Sequence, residues 1–291
     1  MTGSNLAQGA PAPAAPTPPS PRPTSGSSRA SRGSRPARPG GRRLRAVLAP
    51  ALAVVVLLAV WEVAVRVFAI EAWMLPGPVA IAQEWVDQSA GLWDDILTTT
   101  SLTLIGFAAG SLLGLAIAGL LHHVEPLKQA LYPLLIISQN VPTIALAPLL
   151  VIWFGFGLTP KLVVIVLVTF FPVAVAAMDG LRGADPMMRD YLRMSGATRS
   201  QVFWKLEVPW SLPSVFSGLK IAATYAVMGA VIGEWVGSDK GIGHYMLLQK
   251  SAFRADRVFV SICIIVVLSL TLFAVIALVE RRVTRWRIRD R

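Results

Sequence analysis

The chain has 291 residues, of which 54% are hydrophobic and only 15% charged, against about 25% charged in an ordinary soluble domain. With a mean hydropathy of +0.60, these values exclude an ordinary soluble enzyme and point to a membrane protein. The formal charge of +11 could suggest nucleic acid. However, the basic residues sit in the tails and in loops beside apolar runs, as topology signals do, so no nucleic-acid partner is expected. The single cysteine, Cys263, can form no intrachain disulfide and reads as a small buried hydrophobe. Three histidines and one cysteine give no metal-ligand spacing, and no metal site is expected.

Residues 1–43 are rich in Pro, Ser, Ala and Arg and nearly free of large apolar side chains. Such a segment buries too little surface to offset the entropy of ordering, so a disordered tail is expected. The polar leader is too long for a signal peptide. Its arginines, from Arg22 to Arg45, can attract anionic lipid or simply fix orientation.

The transmembrane domain is expected over 44–285, followed by a basic tail over 286–291. Six apolar runs near the roughly 20 residues needed to cross the hydrocarbon fall at about 46–69, 96–121, 131–155, 160–180, 214–236 and 258–280. In the first, Glu62 and Arg66 are four apart and can pair on one helix face. The 71–95 loop carries acids and no Lys or Arg. The second run holds Gly106, Gly110, Gly114 and Ala118 at a spacing of four, a face that lets helices approach closely in lipid.

The third and fourth runs contain Pro133, Pro142, Pro148 and Pro172, each removing a backbone donor, so kinks are expected. Around Pro142 lie Ser138, Gln139, Asn140 and Thr143. Polar residues at membrane depth suit either a translocation path or interhelical hydrogen bonds. The fifth run repeats the small-residue face through Gly218, Ala222, Ala226, Gly229 and Gly233. Lys220 and Glu280 lie near span ends and can each reach the interface. Glu234, near the other end of span five, fits either a pairing or a gate.

Lys and Arg set the orientation. The N-terminal tail, the 181–213 loop and the C-terminal tail are basic, and six spans place all three on the cytoplasmic side. The 237–257 loop is an exception, with Lys240, Lys250, Arg254 and Arg257 on the outer side.

The 181–213 loop is patterned. Asp185-Pro186 offers a cap followed by proline at the first helical position. Gly196 suits a left-handed helix end, and Thr198-Arg199-Ser200-Gln201 reads as a capping box. The second helix carries Val202, Phe203, Trp204 and Leu206, with Pro209 and Pro213 expected to mark its end. Two short helices joined at a glycine make a docking surface, which implies a partner.

Here the chain resembles importer permeases of the ATP-binding-cassette class. Their loop motif is Glu-Ala-Ala, three residues, Gly, nine residues, then aliphatic, any, aliphatic and Pro. Counted from Gly196, Leu206, Val208 and Pro209 fall on the later positions and Asp190 on the Glu position, while Tyr191 and Leu192 replace the alanines. The run from Pro142 to Gly155, with Phe170-Phe171-Pro172, is similar to the branch serving nitrate, sulfonates, taurine and thiamine precursors. The run from Gly218 to Trp235 is most similar to permeases for the pyrimidine precursor of thiamine.

The resemblance implies an all-α, six-helix type I permease in a prokaryotic cytoplasmic membrane, both termini inside. It implies two copies, presumed identical, with a separate ATPase subunit inside and a solute-binding protein outside. It further implies that the 181–213 loop sits in the ATPase and carries its motion to the bundle. Asp190, Arg193, Gly196, Arg199, Phe203 and Pro209 are the expected coupling residues. Gln139, Asn140, Thr143, Thr224, Tyr225 and Met228 are the expected path, a partly aromatic lining that suits an aminopyrimidine. The chain has no G-x-x-x-x-G-K-[ST] phosphate loop, so by that route it binds no ATP. ATP is expected on the partner, with no cofactor and no catalytic residue here.

A secondary transporter or channel would need intramembrane coupling carboxylates or a proton relay. An intramembrane enzyme would need a nucleophile and base at depth, yet His122, His123 and His244 all lie in loops.

Overall fold

The computed structural model describes residues 40–88 and 91–285. The expected disorder of residues 1–39 and the basic tail at 286–291 lie outside the described residues. The chain divides into two compact units between Leu52 and Ala53. Of the first, the described part is the start of helix α1 (Gly40–Val67). Residues 40–43, assigned to the tail on sequence, thus belong to a helix.

Every regular element described in the second unit is a helix: α1 continues into it, followed by α2 (Pro78–Gln88), α3 (Trp93–His123), α4 (Glu125–Ser138), α5 (Thr143–Phe154), α6 (Leu158–Arg182), α7 (Pro186–Met194), α8 (Arg199–Val202), α9 (Val208–Gly237), α10 (Ile242–Ser251) and α11 (Ala255–Val283). Among the described residues, α3, α6, the stretch Arg199–Gly237 and α11 are long and apolar enough to cross a membrane. The pair α4–α5 qualifies as one broken span, which makes up to five among the described residues; α1 covers the first expected run but is not among those five. The six-span reading therefore has a helix or broken helix for every run.

The third run departs most from expectation. It is not a kinked helix but two helices meeting at 100°. Pro142 has no N–H to continue α4 and disfavours helical backbone at Val141. It stands instead at the N-cap of α5 with ψ 106°. Pro133, Pro148 and Pro172 stay inside their helices.

The two small-residue faces converge on α6. A Cβ at Gly110 would overlap the Thr169 hydroxyl, and one at Gly218 would lie 2.6 Å from Ala176 Cβ. Leu102, Ile165, Ala226 and Ala230 make one shared core, and Ala118, Leu121, Ala177 and Met178 another. Close backbone approach of this kind gives the dispersion contact that holds helices together in lipid, where burial alone supplies little.

Side-chain charges settle into pairs. Arg66 Nε donates to Glu62 at 2.7 Å, as the spacing predicts, and the other Glu62 oxygen accepts from Val79 N at the start of α2. Lys220 and Glu280 do not reach out separately but pair at 2.8 Å, tying α9 to α11. The basic exception in the 237–257 loop is compensated: Arg257 meets Glu84 of α2 at 2.7 Å, and Arg254 meets Asp256 at 2.9 Å. Cys263 is exposed on α11 rather than buried, where an apolar thiol can face lipid at little cost.

Candidate functional site

The loop folds as its caps predict at the start. The Asp185 side chain accepts from Met187 N at 2.9 Å and begins α7. Gly196 takes φ +84°, a left-handed value that a side chain disfavours, and turns the chain after α7. Thr198 and Gln201 form both halves of the capping box of α8.

The end of the second helix differs from expectation. Pro209 and Pro213 do not stop it; the helical stretch runs from Arg199 to Gly237. A π turn over Phe203–Glu207 absorbs Pro209: Val208 N donates to Phe203 O, five residues back. The wider turn leaves room where the proline ring would meet an α-helical carbonyl. Pro213 lies one turn further inside α9.

Beneath α7 and α8 is a polar cavity of about 290 Å³. Glu207, only 7% exposed, is its anchor. One oxygen lies 2.7 Å from His122 Nε2 at the end of α3, and the other lies 3.0 Å from Arg189 Nε of α7. The Arg189 contact is ionic, its N–H missing the line of a hydrogen bond. Sequence reasoning did not single out Glu207, His122 or Arg189. The one signal was a lone acid in the basic second helix of the loop, and its partners are 85 and 18 residues away.

Of the expected coupling residues, Arg193 and Arg199 line this cavity. Arg199 also donates to the His123 carbonyl at 3.0 Å, and Phe203 packs edge-on against the His123 ring at 4.5 Å. Asp190 and Gly196 are exposed and are not among the residues lining it. Pro209 sits behind the π turn, half-buried.

A second cavity, about 580 Å³, opens beside the α4–α5 break, between α6 and α9. Of the residues named for the path, Gln139, Thr143, Tyr225 and Met228 line it. Asn140 and Thr224 do not. The Asn140 amide turns back to the Ile136 carbonyl at 3.0 Å, and the Thr224 hydroxyl turns towards the Lys220 carbonyl of its own helix. Phe170 and Phe171 of α6 supply the aromatic wall. The sequence shows them as an apolar pair, and only the 100° break opens a space for them to face.

At the opposite end of the bundle, Glu234 is 1% exposed. It accepts from the Thr99 hydroxyl at 2.8 Å and from Gly243 N at 2.7 Å. Thr99 Oγ1 accepts in turn from Ile242 N, and Asp95 accepts from Gly241 N. Three successive N–H groups at the start of α10 are thus satisfied by α3 and α9. Glu234, left open between a pairing and a gate, is held here by hydrogen bonds to Thr99 and Gly243.

Four long spans, one broken span with a cavity at its break, and a capped helical loop at one end define a type I permease of an ATP-binding-cassette importer. Residues 110–285 match the family described as binding-protein-dependent transport system inner membrane component, and the chain belongs to that family. It is 36% identical over 247 residues to the formylaminopyrimidine transport permease protein ThiX of Halalkalibacterium halodurans, covering 84% of this chain and 98% of that one. It is 34% identical to the riboflavin transport system permease protein RibX of Chloroflexus aurantiacus, covering 79% and 87%. Among solved structures, an amino acid ABC transporter superposes with a TM-score of 0.58 at 18% identity, covering 69% of this chain and 97% of that chain. The inward-facing MetNI methionine transporter superposes at 0.54 and 20% identity, covering 67% and 94%.

Proposed function

We propose that this inner-membrane permease passes a thiamine pyrimidine precursor, of the aminopyrimidine class, from an extracytoplasmic binding protein to the cell interior. The observation that carries the cargo is the 36% identity to a formylaminopyrimidine permease along nearly its whole length. The larger cavity supports it. Phe170, Phe171 and Tyr225 offer ring faces, and Ser138, Gln139 and Thr143 offer a few polar groups to orient a planar heterocycle. No Lys or Arg is among its lining residues, which disfavours sulfonate, taurine and nitrate, whose anionic groups need a charge-bearing partner when desolvated.

In this reading two copies of the chain pair, and a separate ATPase binds the cytoplasmic 181–213 loop. Both termini share that side, in keeping with the basic tails. ATP is bound and hydrolysed by the ATPase, since this chain carries no phosphate loop. Asp190, Arg193, Gly196, Arg199 and Phe203 are the contacts or hinges there.

The test is uptake of labelled formylaminopyrimidine in cells carrying the complete transporter, with riboflavin, taurine, an alkanesulfonate and nitrate as competitors. Saturable uptake displaced only by aminopyrimidines is expected. Uptake of riboflavin alone would transfer the same scaffold to a different cargo, and uptake unaffected by loss of the ATPase would point to a secondary transporter.

A further inference from the structure

The smaller cavity, beneath the loop, has a charge balance that its own ion pairs leave incomplete. Lys128 of α4, Arg182 of α6, Arg189 and Arg193 of α7 and Arg199 of α8 all line it. Against them stand two carboxylates, and both are engaged. Glu125 holds Lys128 through both oxygens at 2.8 Å. Glu207 holds Arg189 and His122. Among the described residues, no carboxylate lies within ion-pair distance of Arg182, Arg193 or Arg199. Arg182 rests over the Tyr132 ring at 5.4 Å and Arg199 reaches a backbone carbonyl. Arg193 has neither.

Three guanidiniums from three different helices therefore border one small space with no carboxylate in direct contact, Arg182 feeling Glu125 only at longer range. We infer that this cavity is a binding site for a phosphate-type anion. A tetrahedral oxyanion carrying two charges can accept from several guanidinium forks at once, which is the geometry arginine serves best. A volume of about 290 Å³ also suffices for such a group together with several waters, each taking roughly 30 Å³. Arg189 and Arg193 are four apart on α7 and so share a face; one answers Glu207 and the other is left for the ligand. Bound there, the anion would join the ends of α6 and α7 to the start of α8, adding a bridge to the one Glu207 makes.

The phosphate can come from a soluble anion or from a phospholipid headgroup, because the cavity lies where the apolar parts of α3 and α6 end. Full-length protein, purified in neutral detergent and stripped of lipid, is titrated calorimetrically. The probes are inorganic phosphate, dioctanoyl phosphatidylglycerol and, as a zwitterionic control, dioctanoyl phosphatidylcholine. Saturable binding of one of the first two is expected. It should weaken at least about tenfold in an Arg182→Gln, Arg193→Gln double variant, and it should weaken at ~1 M salt, where the Debye length is about 3 Å. Binding of phosphate itself assigns a soluble anion; binding of phosphatidylglycerol alone assigns a headgroup.

Arg193→Lys keeps the charge but loses the fork on an exposed helix, and should weaken binding less than the double variant does. It keeps the test decisive should the double variant fold poorly. No saturable binding, or equal binding to wild type and to both variants, overturns the proposal.

Discussion

The Glu207 carboxylate stands between His122 Nε2 at 2.7 Å and Arg189 Nε at 3.0 Å. Through it, the end of α3 is joined to the first turn of α7. Removing one partner of a buried ion pair strands the rest and costs about 3–5 kcal/mol. Glu207 is close to fully buried and shares its charge with two partners, so Glu207→Ala is expected near the low end of that range, with Glu207→Gln milder. Thermal unfolding in detergent measures this. A melt unchanged by Glu207→Ala would show that the two contacts contribute nothing net.

Gly196 holds φ +84° between the two loop helices. Proline fixes φ near −65°, so Gly196→Pro must rearrange the α7–α8 junction while leaving the spans untouched. Transport is expected to fall to background with the protein still inserted at normal levels. ATP hydrolysis by the partner should continue without being coupled to uptake. Normal binding-protein-stimulated uptake by this variant would remove the loop from the mechanism.

Two glycines of α3 make an internal control. A methyl group at Gly110 overlaps Thr169 Oγ1, whereas one at Gly119 meets nothing within 4 Å. Gly110→Ala is expected to destabilise by about 1–3 kcal/mol through overpacking. Gly119→Ala should be neutral or stabilising by up to about 1 kcal/mol, because alanine is the better helix former. Melting curves of the two variants side by side decide it.

Glu234 and Thr99 together satisfy two N–H groups of α10 and one another. Glu234→Ala leaves Gly243 N buried without an acceptor, at a cost of about 1–3 kcal/mol. Faster amide hydrogen exchange is expected over 241–251, with protection in α6 unchanged. Uniform loss of protection across the bundle would mean that the contact holds the whole fold and not this helix.

Tyr225 and Phe171 line the larger cavity, whereas Asn140 and Thr224 turn to their own backbones. Tyr225→Ala and Phe171→Ala should raise the KM for uptake by at least about tenfold, since each removes a stacking face. Thr224→Ala should leave it within twofold or so, as surface changes away from a site generally do. The reverse ranking in an uptake assay would move the path to the other face of α9.

What was legible in the sequence followed from periodicity and caps. The apolar runs, the small-residue faces, the Glu62–Arg66 pair and the capping box at Thr198 are local patterns, and the fold keeps each as helix or contact, the third run as two helices. The break at Pro142 was legible as a proline but not as a 100° turn, because its size depends on what α5 packs against. Pro209 looked like a stop because the π turn that accommodates it has no sequence signature. Glu207, His122 and Arg189 escaped for a different reason. Their meaning lies in proximity across 85 and 18 residues, and a single sequence carries no trace of that. Asn140 and Thr224 were chosen by polarity alone, and polarity does not say which way a side chain turns.

The π turn has a mechanical meaning. By closing the gap that Pro209 would otherwise open, it makes Arg199–Gly237 one helical stretch of 39 residues. At 1.5 Å per residue such a rod is roughly 58 Å long. One end lies in the basic cavity and the other is bolted to α10 through Glu234. Moved as one piece, a tilt of a few degrees at the Arg199 end would swing the Glu234 end by several ångströms, so a displacement at the basic cavity would reach the start of α10 through a single continuous stretch of chain.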